Sequence, residues 1–225
     1  MSKISVLMSV YKKENPEYLR ASLESILVQT RTADEILLIE DGPLTQELYQ
    51  VVAEYQKKCD YLHVHAMEQN VQLGRALAKG VELCQYDLIA RMDTDDIAMP
   101  DRLEKEEAYM EAHPEVDVVG GAIREFNDEG TIDRVKNMPK TQEEILEYVK
   151  VRNPLNHMTV MYRKDSILKA GNYKHFPFLE DYSLWSRMLS QGYQFRNMED
   201  ILVRARTSMG LVKRRSGWAY YKDFC

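Results

Sequence analysis

Over the first hundred residues the hydrophobic positions switch repeatedly between two periods. Residues 4–10 form a nearly continuous β-branched and apolar run, as expected for a strand buried on both faces. After Pro16, the residues Leu19, Leu23, Ile26 and Leu27 recur at spacings of four, three and one. That is a helical stripe with proline in its first turn. Residues 35–39 read as a second strand, stopped by Asp41-Gly42-Pro43. A helix is predicted over 45–57, a strand over 61–66, a helix over 72–84 and a fourth strand over 87–92. This alternation predicts an α/β fold: a Rossmann-like, mostly parallel central sheet flanked by helices.

The second half is less regular. Pro100 opens an acidic helix reaching about His113, and residues 116–121 form a strand broken by Gly120-Gly121. Residues 126–131 carry a hairpin turn, 141–151 a short helix, 158–162 a strand and 179–191 another helix. This mixture predicts a smaller lobe built onto the sheet, joined near residue 96. No Ser/Gly/Pro-rich linker separates the two parts, so one compact body is expected.

Composition narrows the class. With 225 residues, 44% hydrophobic and 29% charged, the chain is an ordinary globular one that can bury a sizeable core. No stretch approaches the roughly 18 uninterrupted apolar residues of a spanning helix. The three cysteines, Cys59, Cys84 and Cys225, lack metal-ligand spacing and read as free thiols of a reducing compartment. The net charge of −6 argues against a nucleic-acid partner. That charge is unevenly spread: the first 200 residues hold 24 basic against 35 acidic side chains, and the last 25 hold six basic against one acidic.

In an open α/β sheet, ligands bind beyond the carboxyl ends of the strands. Ser9-Val10-Tyr11, Glu40-Asp41-Gly42 and Asp93-Thr94-Asp95-Asp96 all follow strands and converge on one rim. Acidic side chains crowded on one edge repel each other unless a cation sits among them. Asp93 and Asp95, two residues apart after an extended strand, are hard oxygen ligands suited to Mg²⁺ or Mn²⁺. A calcium loop is excluded, because Ile97 and Ala98 stand where an oxygen ligand and a glycine would be needed. Glu180-Asp181 opens a helix with an apolar face of Leu184, Trp185, Met188 and Leu189. Its carboxylates either favour the helix dipole or project a general base across the cleft.

Val6-Leu7-Met8-Ser9-Val10-Tyr11, Leu38-Ile39-Glu40-Asp41-Gly42, the segment from Asn70 to Gly80, Asp93-Thr94-Asp95 and Glu180-Asp181 fall in the order of the family 2 glycosyltransferases. The chain resembles them over about residues 3–207. The resemblance implies the GT-A fold and transfer of a sugar, with inversion, from a nucleotide-sugar that is usually UDP-linked. It implies that Ser9, Tyr11, Asp41 and Arg75 hold the nucleotide. Asp93 would reach ribose or metal, Asp95 would bind the metal on the diphosphate, and Asp181 would be the base. Glu180 and His157, the latter in Asn153-Pro154-Leu155-Asn156-His157, would line the acceptor or diphosphate side. Residues 1–96 would then be a nucleotide-sugar-binding half, 97–207 an acceptor-side half of the same domain, and 208–225 a basic aromatic tail.

Three departures from the family pattern shape the expectation. The second motif ends in Pro43 where serine is common, leaving Glu40 free for a separate role. The Gln-x-x-Arg-Trp signature of processive members is absent after Trp185, so one sugar per encounter is expected. Residues 204–208 carry no histidine for the metal. The tail, with Lys213, Arg214 and Arg215 followed by Trp218, Tyr220, Tyr221 and Phe224, combines cations with interfacial aromatics. It predicts a cytoplasmic enzyme with peripheral contact at the inner membrane face through residues 211–225, serving a saccharide or lipid-linked acceptor. Two other readings share the sheet and the aspartates: a nucleotidyltransferase, and a catalytically silent nucleotide-binding scaffold. The first would usually carry a glycine-rich basic loop after strand one, where this chain has Tyr11-Lys12-Lys13-Glu14.

Overall fold

The structure, a computed structural model, describes residues 2–207; the expected tail over 208–225 lies outside them. The first four strands are β1 (Ile4–Val10), β2 (Glu35–Glu40), β3 (Leu62–Ala66) and β4 (Leu88–Met92). They pair in parallel in the order β3-β2-β1-β4. Three helices supply the crossovers: α1 (Pro16–Leu27), α2 (Gln46–Lys58) and α3 (Leu73–Leu83). Asn15 caps α1 by accepting from the Glu17 N–H, with Pro16 in the first turn; Thr45 caps α2 by accepting from the Leu48 N–H.

Past β4 the chain adds a two-residue strand β5 (Ile97–Ala98), helix α4 (Arg102–Ala112), β6 (Val118–Phe126) and β7 (Asp133–Lys136). Helix α5 (Gln142–Tyr148), β8 (Met161–Arg163), α6 (Lys164–Lys169), α7 (Glu180–Ser190) and β9 (Phe195–Arg206) follow. The sheet continues from β4 through β8, β6 and β9 to β5, and β7 pairs with β6 off this path. β8 is antiparallel to both β4 and β6, whereas β6 and β9 are parallel. The result is a mixed α/β sheet, parallel through its first four strands.

Strand alternation sorts the core into two layers. Val6, Met8 and Leu38 pack with α1, α2 and α4 on one face, while Leu7, Leu37 and Ile39 pack with α3, α6 and α7 on the other. Both layers take residues from before and after residue 96.

Several expectations are corrected in the second half. Where the pattern predicts a strand over 158–162, a 3-10 turn (His157–Thr159) comes first and β8 starts only at Met161. The turn is closed by Thr159 Oγ1 donating to the Asn156 carbonyl, and Asn156 is itself tied to the Gly121 carbonyl. The glycine break is a register irregularity in β6 on its pairing with β9, between Gly120 and Ile123. The last strand, β9, which the pattern does not mark, runs to Arg206. Cys59 and Cys84 are free and buried.

Candidate active site

The parallel strands deliver the first set of side chains. Ser9 sits near the end of β1, and Tyr11 just beyond it is 44% exposed at the rim. Asp41, immediately after β2, is buried. Its carboxylate accepts from the Val71 N–H at 2.6 Å and from Asn70 Nδ2 at 2.9 Å, fixing the loop that leads into α3. Gly42 follows with φ +83°, and a Cβ there would lie 2.5 Å from the Asn70 nitrogen, so only glycine lets the two loops meet. Burial pushes the Asp41 carboxyl above its ordinary range, against the pull of the Val71 and Gln72 N–H groups. Burial likewise raises the neighbouring Glu40. Arg75, in the first turn of α3, is exposed and makes no side-chain bond among the described residues.

Beyond β4 the carboxylates crowd. One oxygen from each of Asp93, Asp95 and Asp96 lies within 4.8 Å of the others. Burial, then the negative charges of Asp93 and Glu14, push Asp95 up to about 7. Asp96 is raised well above its ordinary value by burial and by the same two aspartates, and it accepts the Arg206 N–H at 2.7 Å. Thr94 points the other way, donating to Glu14 at 2.7 Å. Three crowded hard-oxygen donors, with Asp95 raised first by burial and then by the charges of Asp93 and Glu14, fit Mg²⁺ or Mn²⁺: a divalent ion would remove the repulsion among them. Asp96 joins the pair expected from sequence.

A second group, around the start of α7, is assembled differently. Asp181, at the start of α7, is largely buried; Asn153 Nδ2 donates to its Oδ2 at 2.6 Å and the Tyr182 N–H to its Oδ1 at 2.7 Å. Burial raises its pKa; the two N–H donors and the Arg91 charge act against that. His157 Nδ1 lies 3.9 Å from Asp181 Oδ2, and its Nε2 meets the Tyr173 hydroxyl at 2.9 Å. Burial, then the Arg91 charge, hold His157 well below its ordinary value, so it stays neutral. Glu180 is raised, chiefly by burial and also by the charges of Asp181 and Asp93. Its Cβ packs 3.1 Å from where a Cβ on Gly74 would sit, which brings the starts of α3 and α7 together. Glu180 is close enough to Asp93 for the charge of one to act on the other, so the Glu180-Asp181 pair stands near the aspartates beyond β4. Asn153, quoted only as part of a loop motif, is the direct partner of Asp181. Arg91 and Tyr173 were missed; Arg91 had a signal, standing two residues before Asp93 on the same strand face.

Similarity to known proteins agrees with this arrangement. The Glycosyl transferase family 2 profile matches residues 5–175. The chain is 43% identical, over 97% of its length and 82% of the relative's, to the amylovoran biosynthesis glycosyltransferase AmsE of Erwinia amylovora. It is 35% identical, over 97% of its length and 79% of the relative's, to a UDP-Gal:alpha-D-GlcNAc-diphosphoundecaprenol beta-1,3-galactosyltransferase of Escherichia coli. Among solved structures, S. aureus TarS 1-349 in complex with UDP-GlcNAc superposes with a TM-score of 0.76 at 19% identity, covering 98% of this chain and 64% of that one. The mannosyltransferase PcManGT of Pyrobaculum calidifontis, in complex with GDP-Man and Mn2+, gives 0.71 at 13% identity, covering 99% and 61%. The chain therefore spans under two thirds of these solved chains, and the likeness to them establishes the GT-A fold. With most of its length matched by the family profile and by relatives of 43% and 35% identity, the chain belongs to glycosyl transferase family 2.

Proposed function

We propose that this protein transfers one sugar per encounter from a UDP-linked donor to an acceptor hydroxyl, with inversion and divalent-metal assistance, in the assembly of a lipid-linked surface polysaccharide. The observation that carries this reading is the pairing in one cleft of a cation-seeking group, Asp93, Asp95 and Asp96, with a buried, hydrogen-bonded carboxylate at Asp181. Residues 1–96 serve the donor and 97–207 the acceptor. The relative named for UDP-Gal and a diphosphoundecaprenol-linked sugar supports the donor nucleotide and the class of acceptor.

The acceptor oxygen forms a bond to the anomeric carbon as the bond from that carbon to the diphosphate oxygen breaks, and the diphosphate leaves with the electron pair. Asp181 takes the acceptor proton, a contribution of about 10²–10⁴-fold. Asn153 and the Tyr182 N–H hold its carboxylate in place, and burial lifts its proton affinity toward the useful range. A single base facing the donor from the acceptor side gives direct displacement and hence inversion. A metal held by Asp93 and Asp95, with Asp96 beside them, would supply positive charge to the departing diphosphate. Ser9, Tyr11, Asp41 and Arg75 bind the nucleotide, Asp41 also by fixing the loop before α3.

The test is Asp181→Asn. Thermal stabilisation by UDP with Mn²⁺ should persist, while turnover of a UDP-sugar selected from a donor panel falls about 10²–10⁴-fold. Unimpaired turnover would refute the base assignment.

A further inference from the structure

Arg91 breaks a local rule. It lies one residue before the end of the central strand β4, paired in register with Leu7, so its side chain points into the layer beneath α3 and α7. It is only 2% exposed in a layer otherwise filled by Leu, Ile and aromatic side chains. A buried guanidinium is costly unless its donors are met. Here Nε has no acceptor, and Nη1 lies 2.5 Å from Asp93 Oδ2 in an ion pair. Asp93 is its one ion-pair partner among the described residues. Hydrophobic packing alone would favour leucine or methionine at this site.

The surroundings show what the cost accompanies. The backbone of Arg91 is clamped on both sides: its N–H donates to the Val160 carbonyl at 2.9 Å, and its carbonyl accepts from Arg102 Nη2 at 2.7 Å. Arg102 is in turn fully buried and bonded to Glu106 at 3.0 Å. The Val160 bond sets β4 directly against the 3-10 turn that carries His157, whose ring faces Asp181 on one side and the Tyr173 hydroxyl on the other. Arg91 is thus buried in the layer that β4 shares with the His157 turn and α7, ion-paired to Asp93.

We infer that Arg91 is a positioning residue for both halves of the reaction: it fixes the Asp93 carboxylate for the donor and places a permanent positive charge beneath Asp181. The inference rests on the proposed role of Asp181 as base. The other groups facing Asp181 are Asn153, the neutral His157, Tyr173 and Glu180. None of these is a cation, and the Glu180 carboxyl is itself raised by burial. Arg91 is the cation that offsets burial there, and Asp93 in turn keeps the guanidinium charged despite its own burial.

Two readouts independent of turnover test this. The first is the Asp181 titration, followed by NMR in protein carrying ¹³C at the aspartate carboxyls and assigned by its loss in Asp181→Asn. The second is calorimetric binding of UDP with Mn²⁺. Arg91→Met should raise the Asp181 midpoint by about one pH unit and weaken UDP–Mn²⁺ binding about tenfold. Arg91→Lys, which keeps the charge but loses the fork, should return the midpoint to that of the unaltered protein and still bind UDP–Mn²⁺ more weakly. In Arg91→Met, an unmoved Asp181 midpoint or an unchanged UDP–Mn²⁺ affinity overturns the inference. Should the methionine variant not fold, unaltered affinity in the lysine variant overturns it. The base assignment fails separately, through full turnover in Asp181→Asn.

Discussion

The two sides of the cleft are built on different principles. On the donor side, parallel strands β1, β2 and β4 stop at one edge, and the chain places a functional side chain directly after each stop. On the acceptor side, Asp181 stands at a helix start, but the groups around it come from a loop (Asn153), a 3-10 turn (His157), a pre-helical segment (Tyr173) and strand β4 (Arg91). Donor chemistry is thus a property of local sequence at strand ends. Acceptor chemistry is a property of how distant segments pack. The donor side should fail through lost charge, and the acceptor side through a shifted proton equilibrium.

The sharpest way to break the comparison is Asp95→Asn. It removes one of three crowded carboxylates while leaving the strand and its packing alone. Loss of several kcal/mol of charge stabilisation at the leaving group corresponds to about a thousandfold in kcat. UDP binding should lose its stimulation by Mn²⁺ at the same time, which separates this variant from Asp181→Asn, where that stimulation persists. Calorimetry of UDP with and without Mn²⁺ reads the difference; full metal stimulation in Asp95→Asn would show that the donor side does not work through its carboxylates.

A smaller effect is expected at Asn153→Ala. Burial holds Asp181 above the ordinary carboxylate range, so its base form accumulates only as pH rises through that elevated value. The Asn153 amide stabilises the charged form and so opposes the elevation. Its removal should raise the Asp181 pKa further and move the acid limb of kcat/KM to higher pH by about one unit, as a hydrogen bond to a charged group is worth about 1.5–3 kcal/mol. Activity should then fall about tenfold below the limb and little above it. A uniform loss at every pH would mean that Asn153 positions substrate rather than the base.

The same division explains what the sequence could tell. The 2.0 and 3.6 periods of residues 4–92 specify β1 to β4 and their helices because strands buried on both faces and amphipathic helices leave unmistakable patterns. Ser9, Asp41 and Asp93 follow from where those strands stop. Beyond residue 96 the pattern weakens for identifiable reasons. β5 is only two residues long, β6 is interrupted by a register shift at Gly120, and the turn over residues 157–159 is held by Asn156 and Thr159 side chains rather than by periodicity. Asp96 reads as one more loop acid until its bond to the Arg206 N–H is known. Arg91 reads as an oddity in an apolar run. Only the packing of β4 against the 157–159 turn gives it a role.

The mildest perturbation concerns Phe178, three residues before Asp181. It is 78% exposed and its φ is +67°, a conformation that costs an L side chain roughly 1–2 kcal/mol. Beside Asp41 the positive φ is given to Gly42, although Gln72 in the following loop also takes a φ of +71°. Phe178→Gly should relieve the strain and lose little burial, while the added freedom of glycine in the unfolded chain takes back about 0.5–1 kcal/mol. The net gain is then about 0.5–1 kcal/mol, or about 2 °C in Tm for a domain of this size. UDP–Mn²⁺ binding should not change, because Phe178 touches none of the donor-side groups. If Tm rises and transfer to the acceptor falls, a bulky side chain is being held at the mouth of the acceptor side against its own conformational preference. If Tm rises and transfer is unaffected, the strained phenylalanine has no part in acceptor handling, and the acceptor side is confined to the buried groups around Asp181.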